Sequence, residues 1–68
     1  MITINPILPS REAAQAKGWI YQVQWIENGL PCFIRCTSDA EADFHATALR
    51  VNGQKPQVFD LHDLLQIH

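Results

Sequence analysis

The stretch WIYQVQWIENGLPCFIRCT, Trp19 to Thr37, decides the fold. Asn28-Gly29 joins two apolar-rich runs and suits a two-residue type I′ turn, whose central positions both need positive φ. That turn sets a register in which Glu27 faces Leu30, Trp25 faces Cys32, Val23 faces Ile34 and Tyr21 faces Cys36. Side chains alternate along a strand, so the opposite side carries Ile26 with Pro31, Gln24 with Phe33, Gln22 with Arg35 and Ile20 with Thr37. The first side reads as core and the second as a mixed, open face. Pro31 is compatible with the hairpin, because its missing N–H falls at a non-hydrogen-bonded pair and points away from the first strand. It limits pairing on the far side of its own strand.

Outward from the hairpin, Ser38 and Glu41 form a Ser-x-x-Glu capping box, and Asp39, Glu41 and Asp43 put negative charge where a helix dipole favours it. A helix over about 38–51 follows, ended by Asn52-Gly53 with Arg50 in its last turn. Ala40, Phe44, Ala48 and Val51 recur at helical spacing and are expected to meet the Trp25, Val23 and Tyr21 face. His45 falls at the border of that stripe, as a packing residue. Upstream, Met1 to Asn5 alternates like a short strand that Pro6 and Pro9 stop. Ser10 can cap a two-turn helix over Arg11 to Lys17, with Gly18 at its left-handed end; at that length a structured loop is the alternative. Downstream, Pro56 to Phe59 reads as a short fourth strand, and Asp60 can cap a terminal turn in which Leu61, Leu64 and Leu65 share a face. A strand, helix, strand order from Cys32 to Phe59 would pair those strands in parallel if they lie in one sheet.

The expected architecture is therefore α+β. A small antiparallel sheet is built on the 19–37 hairpin, one main helix packs on it, and residues 1–68 form a single domain. A chain this short buries roughly 60% of the surface its unfolded form exposes. Its 47% hydrophobic and 18% charged composition is nonetheless that of a folding domain. Cys32 and Cys36 sit about 13 Å apart in a regular strand, beyond the roughly 7 Å between Cα atoms that a disulfide allows. The same distance keeps them from sharing a metal, so both read as small buried thiols of a reducing compartment. Met1 to Leu8 has no basic region followed by a long apolar core, and no apolar run reaches membrane-spanning length, which points to a cytoplasmic protein.

Little in the chain resembles catalytic machinery. There is no glycine-rich phosphate loop, nucleophile elbow or paired-carboxylate arrangement, and so small a chain hardly encloses a pocket of several hundred cubic ångströms. His62 and His68, with Asp60 and Asp63, match no compact metal motif. No catalytic, cofactor-binding or metal site is assigned, and the chain is read as a non-enzyme. What remains is the second face of the hairpin, where Ile20, Ile26 and Phe33 interleave with Gln22, Gln24 and Arg35. Apolar side chains in a polar surround imply a covered surface: by the chain's own 11–17 segment or terminal turn, by a second copy, or by another protein.

The order Trp19, strand, Asn28-Gly29, strand, Thr37, then a helix opening Ala40-Glu41-Ala42, resembles the three-stranded-sheet-plus-helix domains at the N-terminus of tyrosine-type phage integrases. The resemblance spans Trp19 to Leu49 and implies a DNA-binding sheet. This chain departs from that pattern: Gln22, Gln24 and a lone Arg35 stand where the family carries Lys and Arg, and its helix is acidic. The net charge is −2, and Arg11, Lys17, Arg35, Arg50 and Lys55 are scattered, a distribution that disfavours nucleic acid. In size and layout the chain is also similar to small inhibitors carried by phages and mobile elements, anti-CRISPR proteins among them. The expectation is a protein-interaction module binding a partner, or a second copy in an obligate homodimer, through Ile20, Gln22, Gln24, Ile26, Phe33, Arg35, Asp39 and Asp43. A nucleic-acid module using the same face is the alternative.

Overall fold

The computed structural model describes residues 4–67. In chain order they form α1 (Arg11–Lys17), β1 (Tyr21–Glu27), β2 (Leu30–Cys36), α2 (Asp39–Val51), β3 (Gln57–Asp60) and α3 (Leu61–Leu64). The three strands make an antiparallel sheet in the order β2-β1-β3. The fold is the expected α+β arrangement: a β-hairpin sheet, one main helix and a short terminal helix. The Met1 to Asn5 strand lies mostly outside the described residues, and Ile4 to Ser10 runs without regular secondary structure.

The hairpin register is the one the turn dictates, from Glu27 opposite Leu30 to Tyr21 opposite Cys36. Asn28 and Gly29 take φ of 53° and 79°, the positive values a type I′ turn requires. β2 is an edge strand, as Pro31 allows. The third strand departs from expectation. β3 pairs antiparallel with β1, not with β2, so Val23 faces Val58 and Gln22 faces Phe59. β2 and β3 do run parallel, but β1 lies between them and α2 bridges over it.

Helix ends follow the local chemistry. The Ser10 hydroxyl accepts from the Ala13 N–H at 3.1 Å, and Gly18 closes α1 in the left-handed conformation. The Ser38 hydroxyl accepts from the Glu41 N–H at 3.1 Å. The capping box is only half made, since the Glu41 carboxylate accepts from the Thr37 hydroxyl at 3.1 Å. Asp60 caps α3 through the Asp63 N–H.

The face of α2 that meets the sheet corrects the sequence reading. Ala42 and Ala46 are buried against Val23 and Cys36, with Tyr21, Ile34 and Leu49 packed around them. The stripe expected to be internal points outward: Phe44 is 69% exposed, Val51 is 81% exposed, and Ala40 and Ala48 are exposed beside them. Thr37 alone separates the end of β2 from the Ser38 cap, so the strand fixes the helix's rotation. Small alanines then let the helix approach a sheet face already filled by Tyr21, Val23 and Trp25. Cys32 is half-buried rather than core, because the tip of the hairpin, with Leu30 66% exposed, is poorly covered.

Candidate functional site

The side of the sheet expected to be open is closed by the chain's own N-terminal segment. Gln22 and Gln24 are fully buried. The Gln22 Nε2 donates to the Ile7 carbonyl at 2.8 Å and to Gln24 Oε1 at 3.0 Å. The Gln24 Nε2 donates to the Asn5 carbonyl at 2.8 Å, and its Oε1 also accepts from the Ile7 N–H at 3.1 Å. Arg35 completes the network, donating from Nε to Gln22 Oε1 at 2.9 Å and from a terminal nitrogen to the Ile7 carbonyl at 3.1 Å. Its guanidinium carbon lies 4.4 Å from the Phe33 ring centroid and 5.0 Å from that of Trp19, so the cation is stacked against two aromatic rings.

The eight residues singled out for binding are thereby divided. Gln22 and Gln24 cannot touch a partner in this fold, and Arg35 and Ile20 are half-buried. Ile26 and Phe33 keep 42% and 39% of their surface exposed. Asp39 and Asp43 are exposed on α2. The cover over Gln22 and Gln24 is the chain's own and includes the backbone of Asn5 and Ile7; α1 is tied to the C-terminal end, Arg11 Nε donating to the Leu65 carbonyl at 3.1 Å.

The outward face of α2 escaped sequence reasoning because its residues looked like core. Phe44 stands at its centre, with Ala40, Ala48 and Val51 along the stripe and Asp43 and Thr47 on one flank. Asp39 and Asp43 add negative charge to the first half of the helix, whose basic residue, Arg50, lies in its last turn. Asp39 also acts on its neighbour in the sheet. Hydrogen bonding to the Asp39 carboxylate, then its negative charge, raises the pKa of the Tyr21 hydroxyl, with smaller contributions from burial and Asp60.

On the other flank of the stripe, the fold gathers three donors that the sequence reading treated separately. Cys36 Sγ, a Glu41 carboxylate oxygen and a His45 ring nitrogen all lie within 4.8 Å of one another. Cys36 ends β2 and is buried, while Glu41 and His45 occupy successive turns of α2 and are half-buried. Burial, and then the nearby Glu41 charge, push the Cys36 thiol above its usual pKa. His62 is exposed, and His68 lies outside the described residues.

An open depression of about 350 Å³ lies among Ile4, Ile26, Gly53, Gln54, Lys55 and Gln57. Lys55 is the one ionisable side chain among those residues. None of the described helices is long and apolar enough to cross a membrane. Neither protein-family models, nor curated proteins, nor solved structures yield a match to the chain.

Proposed function

We propose that the chain is a non-enzymatic interaction module that binds a different protein through the outward face of α2. The observation that carries this reading is the exposure of Phe44 and Val51 on one helical stripe, at 69% and 81%. A large aromatic side chain left in water loses the burial that would stabilise it, roughly 1.5–3 kcal/mol for a full side chain, and becomes an anchor when a partner covers it. Asp39 and Asp43 set the partner's chemistry: an apolar pocket bordered by Lys or Arg, attracted by a chain of net charge −2. An inhibitor or accessory protein acts in this way, by occupying another protein's surface.

The test is capture of partners from the cells that make the protein, followed by reconstitution with the purified partner. Phe44→Ser should weaken the reconstituted complex at least roughly tenfold while leaving the circular dichroism spectrum unchanged. Asp39→Asn with Asp43→Asn should slow association chiefly at low salt. Equal binding by Phe44→Ser, Val51→Ser and the parent chain would remove this reading. Sedimentation as a dimer that Phe44→Ser dissociates would replace the foreign partner by a second copy.

A further inference from the structure

We propose that Cys36, Glu41 and His45 form a zinc site in which three protein donors leave a fourth position open. Zinc takes thiolate, imidazole and carboxylate ligands in tetrahedral geometry, and a mixed sulfur, nitrogen and oxygen set suits this borderline-soft ion. Bond lengths of about 2.0–2.3 Å place tetrahedral ligand atoms roughly 3.5 Å apart. The three donor atoms already lie within 4.8 Å of one another. Metal binding would draw them closer by side-chain rotation.

Each donor is held from outside the cluster. Glu41 and His45 are four apart on α2, so their side chains lie on one helical face. The Thr37 hydroxyl donates to Glu41 Oε2 and orients the carboxylate. The Phe44 ring meets the His45 ring edge-on at 5.4 Å between centroids and limits its rotation. Cys36 is fixed by the hairpin register and by the packing of Val23, Ala42 and Ala46. The sheet closes the site on the Cys36 side, and the half-buried Glu41 and His45 leave the opposite side to water or to a ligand from another molecule.

On binding, Cys36 coordinates as the thiolate and its proton passes to solvent. The ion would then tie the end of β2 to the first half of α2, a link that favours the folded chain by mass action. Phe44 contributes no ligand to this site and touches it only through the His45 ring, so the site does not rest on a partner at the outward α2 face.

Cobalt(II) is the probe, added to chelator-stripped protein. The expected result is a near-ultraviolet thiolate-to-cobalt absorption band, with visible bands of a four-coordinate ion, displaced by zinc. Cys32→Ser should keep these bands and Cys36→Ser should lose them. His45→Asn and Glu41→Gln, at half-buried positions where folding can be verified by circular dichroism, should each weaken cobalt binding roughly tenfold or more. Zinc should raise the melting temperature of the parent chain and not that of His45→Asn. Absence of a thiolate band in the parent chain overturns the site. So does a band that depends on Cys32, or cobalt affinity unchanged in both His45→Asn and Glu41→Gln.

Discussion

Gln22 and Gln24, two residues apart on the central strand, donate and accept across 3.0 Å inside the fold and together hold the backbone of Asn5 and Ile7. Residues two apart on a strand share a face, so this amide pair turns a polar stripe into a clamp for an irregular segment. Buried amides are stabilising only while their partners remain, because an orphaned buried donor or acceptor bears its full desolvation cost.

Gln24→Ala should therefore destabilise the chain by about 1–3 kcal/mol, since it deprives the Ile7 N–H, the Asn5 carbonyl and the Gln22 amide of a partner at once. Urea unfolding measures the loss. Were Gln24 an exposed binding residue, the same change would stay within about 0.5 kcal/mol.

The rotation of α2 is tested by two alanines. Ala46 is 2% exposed against Val23 and Cys36, so Ala46→Leu should overpack the core and cost about 1–3 kcal/mol. Ala48→Leu, on the outward stripe, should change stability by no more than about 0.5 kcal/mol. Equal costs at the two positions would contradict the observed face.

These substitutions also locate what could be read from the sequence. The Asn28-Gly29 turn, the Pro31 edge and the Ser38 cap are local devices, each specified by residues within a few positions, and each stands where the sequence reading placed it. The helix face was not legible in this way. Ala40, Phe44, Ala48 and Val51 make the more apolar stripe, whereas the short link after Cys36 and the bulk already on the sheet bring Ala42 and Ala46 inward. Gln22 and Gln24 were placed on a covered face and assigned to partner binding, while their backbone partners lie fifteen to nineteen residues upstream in a segment without periodicity. The Cys36, Glu41 and His45 cluster did carry a sequence signal, the four-residue helical spacing of Glu41 and His45 just after a strand-ending cysteine.

Tyr21 provides a spectroscopic view of the sheet–helix contact, because it is the chain's single tyrosine. Its raised pKa means that the folded chain favours the neutral phenol, chiefly through the neighbouring Asp39 carboxylate. The contribution is complete below the unfolded value of about 10 and declines as pH rises through the folded one, so it weakens only in alkaline solution. Titration of tyrosinate absorbance should give an apparent pKa above that of a free tyrosine. Asp39→Asn should bring it down towards the ordinary value.

The hairpin turn yields the cleanest separation of backbone strain from packing. Gly29 has φ of 79°, and a Cβ built there meets no atom within 4 Å. Gly29→Ala therefore adds no clash, and any loss of stability comes from forcing an L side chain into the left-handed region. That preference is worth about 1–2 kcal/mol per residue. The urea midpoint should fall accordingly with the slope of the transition unchanged, since the same surface is exposed on unfolding. Asn28, at φ of 53°, is a residue type that tolerates this region, so Asn28→Gly should shift the midpoint far less. Equal shifts from Gly29→Ala and Asn28→Gly would mean that the two positions are not held in the type I′ geometry, and the register of the β1–β2 pair would then need another origin.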